Sequence, residues 1–184
     1  MFAVVTWGSS SCPPIVDDAT ADDETEEQTV SVTLADPQGD QPCTADMGPR
    51  ASLGAFPEGV DPSKDVELLI EYDDLRGAVE LKADEAFAAA STSETEFAPS
   101  AGWFDDRGIV LLTWGSSTCA PTATDVEQTA SGATVTLGVP DGPCTLDMAP
   151  RATLIALADD APGADFELVL SGAQLDDTVA VLGR

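Results

Sequence analysis

The chain repeats itself, and that repeat constrains any fold it can adopt. Thr6-Trp7-Gly8-Ser9-Ser10-Ser11-Cys12-Pro13-Pro14 returns 107 residues later as Thr113-Trp114-Gly115-Ser116-Ser117-Thr118-Cys119-Ala120-Pro121. Pro42-Cys43-Thr44-Ala45-Asp46-Met47-Gly48-Pro49-Arg50-Ala51 returns 101 residues later as Pro143-Cys144-Thr145-Leu146-Asp147-Met148-Ala149-Pro150-Arg151-Ala152. Each half must therefore be one unit built twice. Six residues separate the two offsets, and the expected place for them is residues 17–27, where seven of eleven side chains are carboxylates. An exposed hairpin tip tolerates such a difference.

Period-two alternation predicts strands throughout. Val30, Val32 and Leu34 alternate with Thr29, Ser31 and Thr33, as do Ala133, Val135 and Leu137 with Thr134 and Thr136. Val66, Leu68, Ile70 and Tyr72 form a third set, and the apolar run from Ile109 ending in Trp114 reads as a deeply buried strand. Turn residues such as Asp36-Pro37, Ser131-Gly132 and Asp141-Gly142 punctuate these segments at the spacing of a sandwich or barrel. The expected fold is all-β: two tandem homologous small β-sandwich (Ig-like) domains, residues 1–87 and 101–184, joined by a linker at 88–100. No run of 18 apolar residues is present, so no transmembrane segment is expected.

Charge then removes several functions. Against 34 Asp and Glu stand 7 Lys and Arg, a formal net charge of -27, so the basic surface that nucleic-acid binding requires is missing. There is no histidine, which eliminates Ser-His-Asp and Cys-His catalysis and histidine metal sites. The hydrophobic fraction of 43% is nevertheless sufficient for packed cores. Four cysteines fall at equivalent places, two per copy. Only the pairing of Cys12 with Cys43 and Cys119 with Cys144 keeps each copy independent, and such bonds imply an oxidising compartment. A four-cysteine zinc site would need ligands from both units and lacks any C-x-x-C spacing, so no metal and no cofactor are expected.

The blocks TWGSSSCPP and CTADMGPRA resemble those of uncharacterised secreted proteins and lipoproteins of high-GC actinobacteria, across both copies. The resemblance implies an exported, cysteine-stapled β domain and carries no activity. Met1 runs directly into the first Trp-Gly-Ser-Ser block without a basic n-region or cleavage site. An export leader upstream, and with it membrane anchoring, is the expectation. Copy two is preceded by Gly102-Trp103-Phe104-Asp105-Asp106-Arg107-Gly108, read as a strand and turn with no counterpart in copy one, so the equivalent strand is expected upstream together with the leader.

Each candidate site carries a plainer alternative. Ser9, Ser10, Ser116 and Ser117 follow a glycine, yet no base accompanies them, and Lys64 and Lys82 have no equivalents in copy two; a turn is the simpler account. Trp7 and Trp114 could stack on a ligand, but the favoured expectation is core packing against the disulfide. Asp46 with Arg50, and Asp147 with Arg151, lie four residues apart and could share a strand face as an ion pair, with a backbone clamp or a grip on a ligand carboxylate as alternatives. Asp17, Asp18, Asp22, Asp23, Glu24, Glu26 and Glu27 lack EF-hand spacing, which favours a solvated tip over a calcium site. Asp73-Asp74 and Asp176-Asp177 read as turns, not as a glycosidase pair. The combined expectation is a non-enzymatic extracellular or cell-surface module that binds a protein or small ligand. A carboxylate-dependent hydrolase and a structural spacer are the alternatives.

Overall fold

Alternating side chains put one face of most strands against a core, and the computed structural model contains thirteen strands and no helix among the residues described, 1–22, 28–37, 42–61, 63–83, 97–160 and 165–183. The tip of the acidic stretch at 23–27 and linker residues 88–96 lie outside them. Two compact units divide the chain, Met1–Thr95 and Glu96–Arg184. The first holds β1 (Phe2–Gly8), β2 (Ile15–Asp22), β3 (Gln28–Ala35), β4 (Gly48–Gly54), β5 (Val66–Tyr72) and β6 (Leu75–Leu81). The second holds β7 (Ser100–Asp105), β8 (Gly108–Gly115), β9 (Thr122–Gln128), β10 (Gly132–Gly138), β11 (Ala149–Ala156), β12 (Glu167–Gly172) and β13 (Asp177–Leu182).

The sequence repeat is a repeat of register. In β1–β4 Phe2 faces Gly54 and Gly8 faces Gly48, and in β8–β11 the equivalent Ile109 faces Ile155 and Gly115 faces Ala149. Val30 lies beside Leu68, and Ala133 beside Leu168, in the matching parallel pairs β3–β5 and β10–β12. An irregularity recurs at the same place, between Val16 and Asp18 in β2 and opposite Thr136 and Leu137 in β10. These equivalences also locate the six-residue difference. Val16 matches Ala123 at an offset of 107, Leu34 matches Leu137 at 103, and Pro49 matches Pro150 at 101. Four residues thus belong to the β2–β3 hairpin tip, whereas the other two fall between β3 and β4, outside the acidic stretch.

The immunoglobulin-type order expected from the strand spacing is not what the strands adopt. A sandwich of that type pairs neighbours antiparallel within each sheet. Here β4 and β11 cross over to pair antiparallel with β1 and β8, and the chain then returns so that β5 lies parallel to β3 and β12 parallel to β10. In the second unit the two sheets merge. Strand β7 pairs antiparallel with β8 and parallel with β13, giving one sheet in the order β11-β8-β7-β13-β12-β10-β9. It curls until its terminal strands β11 and β9 approach each other around a core of Ile109, Leu111, Val135, Phe166, Leu168 and Val181. In the first unit a two-stranded sheet β1-β4 and a four-stranded sheet β2-β3-β5-β6 enclose Phe2, Val4, Val30, Val32, Val66 and Leu68.

Candidate functional site

The duplicated blocks meet at one end of each unit. After β1 the chain turns at Ser9, whose carbonyl accepts the Cys12 amide at 3.3 Å, and the Ser116 carbonyl accepts the Cys119 amide at the same distance. This turn delivers Cys12 to Cys43 and Cys119 to Cys144, and both disulfides are formed. The expected pairing is therefore present, and no free cysteine remains for zinc.

Beside each disulfide, a threonine hydroxyl joins the two blocks. Thr44 Oγ1 lies 2.9 Å from Ser9 Oγ and 3.2 Å from Ser11 Oγ and donates to Asp46, while the Ser11 hydroxyl accepts the Thr44 amide at 3.0 Å. Thr145 repeats this with Ser116 at 2.8 Å, with Asp147, and with Thr118, which accepts its amide at 3.1 Å. The carboxylates also cap the serine turn, Asp46 accepting the Ser10 amide at 3.2 Å and Asp147 the Ser117 amide at 3.1 Å. Hydrogen bonds to a carboxylate favour its ionised form. The Ser10 side chain, Thr44 and the Ser10 amide hold Asp46 at a pKa of about 2, and Thr145, the Ser117 side chain and the Ser117 amide do the same for Asp147.

The arginines have a separate task. Arg50 donates through Nη1 to the Cys12 carbonyl at 2.7 Å and through Nε to Thr6 Oγ1 at 3.2 Å. Arg151 donates to the Cys119 carbonyl at 3.1 Å and to the Trp114 carbonyl at 2.8 Å. No ion pair joins Asp46 to Arg50 or Asp147 to Arg151 among the described residues. Arg50 faces Thr6 across the β1–β4 ladder, whereas Asp46 precedes β4 and turns toward the serine loop. Glycine makes room for each guanidinium. A Cβ on Gly8 would lie 2.6 Å from Arg50 Cζ, and one on Gly115 2.8 Å from Arg151 Cζ. Deeper in, the buried Ser52 and Thr153 hydroxyls donate to the carbonyls of Pro14 and Pro121 at 2.6 and 2.7 Å. The Cys-x-x-Asp-x-x-x-Arg spacing thus serves two adjoining clamps, one on the serine turn and one on the half-cystine carbonyl.

Trp7 does not pack in the core against its disulfide. Phe2 and Val4 are buried, so alternation along β1 carries Thr6 inward and Trp7 outward, where it is 54% exposed. Trp114 occupies the same register position and is half-buried, its ring meeting Phe97 edge-on at 5.4 Å. Met47 and Met148 add exposed apolar side chains, 77% and 58% accessible, beside the same turn, and Leu146 is fully exposed in the second copy. Each stapled end therefore carries a tryptophan and a methionine next to a hydroxyl-rich turn.

The remaining acids do not converge: no group of three or more His, Cys, Asp or Glu that could hold a metal ion occurs among the described residues. Asp17 and Asp18 lie in β2, and Asp73 sits in the β5–β6 turn with a positive φ of 51°. Asp176 precedes β13 and Asp177 opens it. Comparison with protein-family models, with curated proteins and with solved structures finds no match.

The acid limb of stability should report the two turn carboxylates. Their folded pKa lies below the ordinary value of 3.8, so their contribution is complete above that value and is lost as pH falls toward about 2. NMR titration should place both midpoints near 2, and Thr44→Val should raise that of Asp46 alone. A midpoint near 3.8 in the intact chain would contradict the clamp.

Proposed function

We propose that the protein is a non-enzymatic extracellular or cell-envelope binding module, presenting the same recognition surface twice on disulfide-stapled ends. The observation that carries this reading is the exposed apolar side chains at each end, Trp7 with Met47 in the first unit and Met148 with Leu146 beside the half-buried Trp114 in the second. A spacer has no need of such groups. Tryptophan and methionine supply large or adaptable apolar contact in protein interfaces, and the serine and threonine hydroxyls around them form a polar rim. The favoured ligand is accordingly another protein, bound at a surface that the arginine and aspartate clamps keep rigid. Two disulfides fit an oxidising compartment, which supports export, and the resemblance to actinobacterial secreted proteins and lipoproteins points the same way.

The hydrolase alternative requires a carboxyl group held protonated near neutrality. Among the described residues the aspartates with displaced pKa, Asp46, Asp61, Asp65 and Asp147, are all shifted downward by hydrogen bonds. A carboxylate of pKa about 2 is also too weak a base to activate the Ser9 or Ser116 hydroxyl through Thr44 or Thr145. Lys82 is held protonated by Glu80 and Asp65.

A photo-reactive methionine analogue at Met47 and Met148 tests the reading directly. Applied to intact cell envelopes, the chain should form a discrete protein adduct that Trp7→Ala and Trp114→Ala together reduce at least ten-fold. An absence of adduct, or an adduct indifferent to both tryptophans, would leave the spacer as the better account.

A further inference from the structure

We propose that the hydroxyl cluster at each stapled end binds a hard divalent cation, calcium or magnesium. Ser9, Ser11 and Thr44 would be its oxygen ligands in the first unit with Asp46 as the charge partner, and Ser116, Thr118, Thr145 and Asp147 take the same roles in the second. The three hydroxyl oxygens of each set form a triangle. Its edges are 3.3 Å from Ser9 to Ser11, 2.9 Å from Ser9 to Thr44 and 3.2 Å from Ser11 to Thr44. The second unit repeats it, with 3.2 Å from Ser116 to Thr118, 2.8 Å from Ser116 to Thr145 and 3.4 Å from Thr118 to Thr145.

Hydrogens are too few for these contacts. A hydroxyl has one to give, and that of Thr44 goes to Asp46, as that of Thr145 goes to Asp147. Two hydrogens then remain for three edges, so in each triangle one pair of oxygens meets lone pair to lone pair. A cation seated on the triangle removes that conflict. The serine oxygens can turn lone pairs toward it and their hydrogens toward water, while the threonine keeps its bond to the aspartate. Octahedral geometry sets neighbouring ligand oxygens apart by the square root of two times the metal–oxygen distance, about 2.9 Å for magnesium and about 3.3 Å for the shorter bonds of calcium. The edges of both triangles span that interval.

Carboxylates alone do not gather into a metal site in the described residues, but here neutral oxygens supply the geometry and one aspartate supplies the charge. The six hydroxyls are exposed or half-buried, which leaves the outer coordination positions to water. The site is also held in shape. Ser11 adjoins Cys12 and Thr44 adjoins Cys43, so the disulfide ties together the two segments that carry the triangle. The clamp on the serine turn runs through Asp46, Thr44 and Ser11 and does not require the Ser9 side chain, yet a hydroxyl recurs there as Ser116. Ser11 becomes Thr118 in the second copy and keeps its hydroxyl, whereas Ala45, between the threonine and the aspartate, becomes Leu146.

This site does not depend on what the tryptophans bind, and its test uses the cation alone. Calcium or magnesium chloride is titrated into the full, oxidised chain in about 0.15 M NaCl, which screens diffuse attraction to the acidic surface. In NMR spectra the amides of Ser10, Thr44, Ser117 and Thr145 should shift saturably, with midpoints of about 10⁻⁴–10⁻³ M, the range of extracellular calcium modules. The ion with the lower midpoint is the one the site prefers. Ser9→Ala should weaken the first unit's response by about ten-fold or more and leave the second unit's unchanged, and Ser116→Ala should do the reverse. Thr44→Ser, which keeps the hydroxyl, should bind as the parent does. Absence of a saturable shift at these amides up to about 10 mM of either ion would overturn the proposal. So would a shift that survives both serine substitutions, or one no larger at these amides than along β2 and at Asp73 and Asp74, because the acidic surface alone would then account for it.

Discussion

Reduction of the two disulfides should lower the thermal midpoint of each unit by roughly 15–25 °C. The bonds span 31 and 25 residues, Cys12 to Cys43 and Cys119 to Cys144. Closing loops of that length removes about 3.5 kcal/mol of conformational freedom from the unfolded chain per bond. In a domain of this size about 1 kcal/mol moves the midpoint by 4–8 °C. Reduction also removes the fixed end of the serine turn, since Arg50 and Arg151 hold the carbonyls of Cys12 and Cys119. Scanning calorimetry with and without reductant measures the shift; a change of only a few degrees would show that the clamps hold the turn without the sulfur bridge.

Phe166→Ala should cost the second unit about 3–5 kcal/mol, the range for truncating a fully packed aromatic side chain. Phe166 is buried in the middle of the second core and carries the Trp103 ring, so its loss leaves a cavity and loosens the contact that seats β7. The first unit has Val66 at the equivalent position and its own core, so its transition should stay in place. Two resolved melting transitions, only one of them displaced, are the expected result. Equal displacement of both would mean that the units do not unfold independently.

Much of the strand layout was legible in the sequence, because a period of two assigns each residue a face. The inward rows Val30, Val32, Leu34 and Val66, Leu68 lie where alternation put them. The same rule, applied to β1, would have placed Trp7 outward, out of phase with Phe2 and Val4. The apolar run of copy two hid this, since Val110 and Leu112 also have cover on the outer face of β8 and the alternation is lost there. Sheet order was not legible. Alternation says which side chains point inward but not which strand lies alongside, and the parallel pairs β3–β5 and β10–β12 arise from crossovers through β4 and β11.

At the stapled ends, the repetition of Asp46 and Arg50 as Asp147 and Arg151 singled out the right residues but not their partners. Four-residue spacing suggests a shared face only if the chain is extended throughout. Asp46 and Asp147 precede their strands, where the backbone is free to aim them at the serine turn. The Thr44 and Thr145 hydroxyls, which bridge the two blocks, were missed. Their signal was the invariance of Cys-Thr-x-Asp between the copies.

The central claim is that Trp7, Met47, Trp114 and Met148 are displayed for a partner and do not hold the fold together. The direct measurement is the melting of a chain carrying W7S, M47S, W114S and M148S against the parent. Exposed side chains change stability by no more than about 0.5 kcal/mol each, and the half-buried Trp114 by somewhat more, so both transitions should remain within a few degrees of the parent. A loss of many degrees, comparable with that from Phe166→Ala, would make these side chains part of the packing and contradict the account.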